Sequence, residues 1–250
     1  MGEGMIKACL FDLDGTLLPL DTEAFVKVYL QALAPYVAHV VPPDKLVPII
    51  WKATGAMIEN DQADLTNEEV FTRAFLQLSG LEKEEIWPLF DRFYKEEFPK
   101  LEKHAEKSAL ARQVVQAALD RGYQVAVATN PVFPREAIYE RLRWARLDDL
   151  PFATVTVYEE THFCKPHPGY YREVAGRLGV SPEECVMIGN DMQEDMVASV
   201  VGMHIFFLKE YRIDRGRPSY DFDQEGTMED LFQSICKGTG VFQKEHPVKK

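Results

Sequence analysis

Short, nearly uninterrupted apolar runs separated by amphipathic helical stretches restrict this chain more than any other feature. The runs are Met5 to Phe11, Tyr123 to Ala128, Cys185 to Ile188 and His204 to Leu208, with a weaker one between Phe152 and Tyr158. Bounded by Asp, Gly and Asn, they read as strands buried on both faces, the habit of parallel sheets. Helical spacing fills the intervals Glu106 to Arg121, Pro134 to Arg146, Pro168 to Leu178 and Met192 to Val201, with Gly122, Gly179 and Gly202 as stop signals. Strand and helix alternate, which predicts an α/β fold built on a doubly wound parallel sheet.

The stretch from about Asp21 to Phe98 breaks that alternation. It is helical throughout, with Thr66 and Glu69 forming a capping box and Ser79-Gly80 ending the run that follows. Because the sheet pattern resumes near Lys103, this is an insertion rather than a tandem neighbour. The expected division is an α/β core of residues 1–20 and 100–240, an inserted all-helical unit of 21–99, and a disordered tail of 241–250.

A formal charge of −12 repels a nucleic-acid backbone over most of the surface, so nucleic acid is excluded as a partner. The same charge means that a small phosphorylated ligand needs a local positive centre. Cys9, Cys164, Cys185 and Cys236 are scattered without a Cys-x-x-Cys pair, which fits reduced thiols rather than zinc or a disulfide framework. The first residues do not read as a leader, and no apolar stretch is long enough to cross a bilayer. A cytoplasmic protein is expected; nothing in the pattern speaks to oligomeric state.

Reactive groups in open α/β sheets gather beyond the carboxyl ends of the strands. After the first run comes Asp12-Leu13-Asp14-Gly15-Thr16, where extended alternation puts Asp12 and Asp14 on one side. Two close carboxylates need a cation between them or a proton on one; alone, the motif is equally a solvated turn. The run ending at Ala128 leads to Thr129-Asn130-Pro131, a hydroxyl, an amide and main-chain donors suited to an oxyanion, or simply a turn. Lys165 lies in Cys164-Lys165-Pro166-His167-Pro168, where prolines stiffen the loop and aim the charge. The fourth end, Gly189-Asn190-Asp191, has Asp195 four residues on, at the spacing that aligns side chains on a helix, or caps one.

Taken together and in order, these motifs resemble the four motifs of the haloacid dehalogenase-like hydrolase superfamily over nearly the whole chain. The helical insertion resembles that family's C1 cap domain on a Rossmann-like core. The resemblance implies a phosphatase: Asp12 as nucleophile, Asp14 as general acid then base, and Thr129 and Lys165 holding phosphoryl oxygens, to which the position of Asn130 adds a further donor. It implies Mg²⁺ on a carboxylate oxygen of Asp12, the backbone carbonyl of Asp14 and a carboxylate of Asp191; Thr16, by its place after Gly15, can hydrogen-bond back to the loop and hold it. Asp195 would act through water or orient Lys165. One departure stands out: the family's fourth motif more often begins Gly-Asp, and here it is Gly189-Asn190-Asp191.

Chemistry agrees, because phosphoryl transfer requires charge neutralisation above all, and Mg²⁺ with Lys165 would supply it. The expected reaction is hydrolysis of a small phosphate monoester through an aspartyl-phosphate. Asp14 disfavours a dehalogenase, since the family's dehalogenases lack it. A phosphomutase, a phosphonate hydrolase using a Schiff-base lysine such as Lys27, Lys45 or Lys52, and an inactive phosphate-binding protein are the alternatives. His162 and His167 read as loop or rim residues and Cys164 as an ordinary thiol whose cationic neighbour could lower its pKa. Phe71, Phe75, Trp87, Phe90 and Phe93 read as core.

Overall fold

The computed structural model describes residues 5–243. Its sheet begins with β1 (Ala8–Phe11), four apolar residues buried throughout. It is completed by β2 (Gln124–Val127), β3 (Thr154–Val155), β4 (Cys185–Gly189), β5 (His204–Leu208) and β6 (Gln224–Gly226). The order is β3-β2-β1-β4-β5-β6 and every neighbouring pair is parallel. The chain runs outward from β1 through β2 to β3, then returns to lay β4, β5 and β6 on the other side. Thus β1 is the switch point where such sheets open a crevice. Register aligns Phe11 with Val127 on one side and Ile188 on the other, so residues 12, 128–130 and 189–191 leave the sheet side by side.

Four of the helices between β1 and β2 make up the stretch that interrupts the strand-helix alternation: α1 (Thr22–Val37), α2 (Pro43–Ile58), α3 (Asn67–Ser79) and α4 (Lys83–Glu96). The Thr66 capping box forms as the sequence indicated, and Gly80 closes α3 at φ 71°, a conformation that favours glycine. Two free N–H groups at the start of α3 donate to core-loop carbonyls, Asn67 to Thr161 at 2.8 Å and Glu68 to Tyr158 at 2.9 Å. These bonds satisfy orphan helix donors and tie the insertion to the sheet domain. Aromatic packing does the same, with Phe25 and Phe98 against Trp144 at 5.9 and 5.2 Å between centroids.

The remaining helices are α5 (Ala109–Asp120), α6 (Arg135–Trp144), α7 (Pro168–Arg177) and α8 (Met228–Lys237). Alternation along the strands divides the interior: Cys9, Phe11, Val127 and Ile188 join α5, α6, α8 and the inserted helices. Ala8, Leu10, Ala126 and Met187 join α7 and residues 196–201. Burial of each large apolar side chain contributes about 1.5–3 kcal/mol. Two expectations are corrected. Residues 192–201 form no α-helix, because side chains bind the main chain of 190–194 and only Met196–Val201 coils, as a 3-10 turn. The segment from 241 does not begin as a tail: Val241 and Phe242 are buried, Phe242 against Tyr123 at 5.9 Å. A pair of apolar residues is too short to show periodicity. The rest of the expected tail, 244–250, lies outside the described residues. No helix among the described residues is long and apolar enough to cross a membrane.

Candidate active site

Asp12 follows β1 directly, its N–H donating to Ile188 at 2.9 Å, which continues the ladder one residue past the strand. Gly15 turns the chain at φ 79°, and a Cβ there would strike the Asn190 side chain. Leu18 N–H closes the loop on Leu13 at 2.8 Å. Burial raises the pKa of Asp12, and the Asp14 carboxylate adds to that rise.

Lys165 is the centre of the charge arrangement. Its side chain is 1% exposed, and Nζ donates to Asp12 Oδ1 at 2.8 Å and to Asp195 Oδ1 at 2.6 Å. Burial alone would lower the lysine pKa, but the two carboxylates hold it well above the ordinary value. Burial pushes Asp12 up to about 6 and Asp195 up to about 7, in each case against the pull of Lys165. The lysine is therefore a fixed cation between two carboxylates that resist ionisation. Asn130 aims it: Oδ1 accepts from Lys165 N at 3.1 Å, while Nδ2 donates to Glu194 at 3.1 Å. That amide is engaged within the protein, on Glu194 and the Lys165 main chain. The Thr129 carbonyl takes Tyr170 and Thr156 hydroxyls at 2.8 and 2.7 Å, while its own hydroxyl has no hydrogen-bond partner among the described residues.

Beyond β4 the two acidic residues divide their roles. Asp195 Oδ2 accepts from the N–H groups of Asn190 and Asp191, both at 3.0 Å, and holds Lys165 with its other oxygen. Gly189 is required there, since a Cβ would collide with that carboxylate. Asp191 Oδ1 accepts from Gln193 N and Glu194 N, and both its oxygens meet the Arg215 guanidinium at 2.8 Å. Burial, then Asp191, pushes the neighbouring Glu194 up to about 7.

Asn190 explains the departure from Gly-Asp. It accepts from the Thr16 hydroxyl at 3.0 Å and donates to the Tyr211 carbonyl at 2.6 Å, joining the first and fourth motifs to the segment after β5. A carboxylate cannot make the second bond. Asn190→Asp is expected to lose about 1–3 kcal/mol of stability, read as a fall of several degrees in the calorimetric unfolding temperature; an unchanged transition would remove this role.

Sequence reasoning missed two arginines. Arg141, on the buried side of α6, pairs with Asp14 from 127 positions away and is 1% exposed. Burial raises Asp14 above the ordinary carboxylate, with Arg141 and Lys165 opposing. The available signal was an arginine in an apolar register, among Ala137, Ile138 and Leu142. Arg215, in Arg-Gly-Arg-Pro, offered none. A cavity of about 640 Å³ lies between the inserted helices and the start of α6, lined by Tyr29, Trp51, Phe71, Tyr94, Phe133 and Tyr158 among others. Neither Asp12 nor Asp14 lines it; Phe133 links the two regions, its ring 4.5 Å from the Arg141 guanidinium carbon.

The remaining expectations resolve simply. His162 does have an acidic partner, Glu173 at 2.9 Å, and His167 caps α7 by accepting from Gly169 N. Burial pushes the Cys164 thiol up, so its lysine neighbour does not activate it. Phe75, Phe90 and Phe93 are core, while Phe71 and Trp87 are partly buried against it.

A doubly wound sheet with an inserted helical unit, carrying carboxylates and a buried lysine above its switch point, defines an α/β protein of the hydrolase type. The chain belongs to the haloacid dehalogenase-like hydrolase family, whose model matches residues 6–199. Pyrophosphatase PpaX of Bacillus cereus (strain AH820) is 25% identical over 192 residues, 77% of each chain. Among solved structures, a predicted phosphoglycolate phosphatase from Haemophilus somnus 129PT is similar, with a TM-score of 0.56 and 18% identity over 93% of this chain and 99% of that one. A HAD phosphatase from Thermococcus onnurineus gives 0.57 and 24% over 92% and 98%. At such identities the structural likenesses speak to fold.

Proposed function

We propose that this hydrolase is a phosphatase that cleaves a small phosphate ester by attack of Asp12 on phosphorus. The observation that carries the reading is Lys165, buried and fixed 2.8 Å from Asp12 and 2.6 Å from Asp195 where three strand ends meet. A fixed cation of this kind suits an incoming anion that no other part of a −12 surface welcomes. The names of the relatives, a pyrophosphatase and a phosphoglycolate phosphatase, support phosphoryl chemistry.

Lys165 occupies Oδ1 of Asp12, leaving Oδ2 to form the bond to phosphorus as the ester P–O bond breaks. Asp14, which burial inclines towards its protonated form, gives its proton to the leaving oxygen. It then takes a proton from the water that attacks phosphorus and returns Asp12. Thr129 and Lys165 hold the phosphoryl oxygens, and Asp195 and Asn130 fix the lysine. Residues 21–99 serve as a cap that excludes water over the core of 1–20 and 100–240.

The donors suit Mg²⁺: carboxylate oxygens of Asp12 and Asp191 with the Asp14 carbonyl, and water and phosphate completing the set. Among the described residues no three His, Cys, Asp or Glu side chains cluster as a metal site, so the ion would depend on the Asp14 carbonyl and water beside the two carboxylates. The Arg215 guanidinium stands against both oxygens of Asp191, so this carboxylate would hold the ion only by giving up part of that pair. When bound, the ion neutralises charge on the phosphoryl oxygens. Free thiols at Cys9, Cys164, Cys185 and Cys236 support a reducing, cytoplasmic setting. Lys27, Lys45 and Lys52 are exposed, so no observation favours the Schiff-base alternative.

The test is turnover of an aryl phosphate. Activity with Mg²⁺ is expected to fall by about 100-fold or more on adding chelator and to return with excess metal. Equal rates with and without chelator would remove the metal, and no turnover in either would remove the phosphatase.

A further inference from the structure

The buried arginine of α6 has more hydrogen-bonding capacity than the protein uses. Arg141 Nε donates to the Ala137 carbonyl at 3.3 Å, Nη1 donates to Asp14, and the guanidinium carbon lies 4.5 Å from the Phe133 ring centroid. Nη2 is buried with no partner, and so is Oδ1 of Asp14. A buried N–H without an acceptor is disfavoured, and a guanidinium cannot shed its charge to relieve this. The arginine is held by Ala137, Asp14 and Phe133 while the two N–H groups of Nη2 stay without an acceptor, which leaves it able to receive one.

We propose that Arg141 binds a second anionic group, a carboxylate or phosphoryl group carried by the leaving part of the substrate. The enzyme thereby selects phosphate esters or anhydrides whose leaving group is itself an anion. This deepens, and rests on, the phosphatase reading. On the phosphatase reading the side follows from the partners: Lys165 stands beside Asp12, the proposed nucleophile, whereas Arg141 contacts Asp14, the proposed proton donor to the departing oxygen. Chemistry assigns the class, because the planar fork of a guanidinium matches carboxylate and phosphate oxygens. A neutral hydroxyl would make poor use of a buried full charge.

Matched substrates test this. Phosphoglycolate and 2-hydroxyethyl phosphate differ only in carboxylate against hydroxymethyl, pyrophosphate supplies the phosphoryl alternative, and an aryl phosphate reports competence. Wild type is expected to favour phosphoglycolate or pyrophosphate over 2-hydroxyethyl phosphate by on the order of 100-fold in kcat/KM, and whichever anion leads identifies the source. Arg141→Gln should bring that ratio to within about threefold of one, while Arg141→Lys keeps part of it. A variant that lowers charged and neutral substrates equally would mark Arg141 as a structural clamp and overturn the proposal. So would a wild type that turns over aryl phosphate without preferring an anionic leaving group, whether or not the variants fold. Absence of turnover on every ester would overturn the phosphatase reading itself, and this proposal with it.

Discussion

Asp12→Asn is expected to lower kcat on any phosphate ester by about 10⁴-fold or more while leaving the thermal transition within a few degrees of wild type. The size follows from the proposed role of Asp12: its bond to phosphorus would divide the reaction into two easier steps, and the loss should be comparable with other nucleophile deletions. At 1.36 kcal/mol per factor of ten this is about 5.4 kcal/mol of transition-state stabilisation. The small effect on folding follows from local balance. Asparagine keeps an oxygen that can accept from Lys165, at 2.8 Å in the parent, and no longer asks the interior to hold a charge that burial disfavours. Steady-state rates and calorimetry on one preparation decide it. Residual activity above about one per cent, with the fold intact, would show that another group attacks phosphorus.

Which parts were visible beforehand depended on how far apart the determining atoms lie in the chain. Cys185–Gly189 and His204–Leu208 were readable because burial on both faces demands continuous apolar residues. The Gln224–Gly226 strand was not, since it pairs with the sheet edge through main-chain bonds and exposes Glu225. The helix Met228–Lys237 also went unread, although Leu231 and Ile235 mark its buried face and Thr227 with Asp230 caps it. At the site, parallel register brings Asp12, Thr129 and Asp191 to adjacent strand ends, so motif position was sufficient to single them out. Asn130, Asn190 and Arg141 were different. Their roles depend on partners 64, 174 and 127 positions away, and no spacing rule reaches that distance.

Lys165→Met should damage both stability and catalysis, and the two losses can be separated. Removing the ammonium leaves Asp12 and Asp195 buried without the cation that lies 2.8 and 2.6 Å from them. Breaking a buried ion pair by deleting one partner costs about 3–5 kcal/mol, and pH controls how much of it appears. Both carboxyls already have folded pKa values raised by burial, to about 6 and about 7, and without Lys165 they rise further. A carboxyl whose folded pKa exceeds its unfolded value is unpenalised while protonated in both states, near pH 4 and below. It costs progressively more as pH climbs through the folded pKa. The deficit of Lys165→Met against wild type should therefore be small at pH 4 and largest at pH 8, measured by denaturant unfolding across that range. Adding Asp195→Asn removes one stranded charge and should recover part of the stability at pH 8. It should recover none of the activity, which on the proposed mechanism requires a cation beside Asp12 and is expected to stay about 10³-fold or more below wild type. A single variant as stable as wild type at pH 8 would mean that the lysine does not hold these carboxylates together.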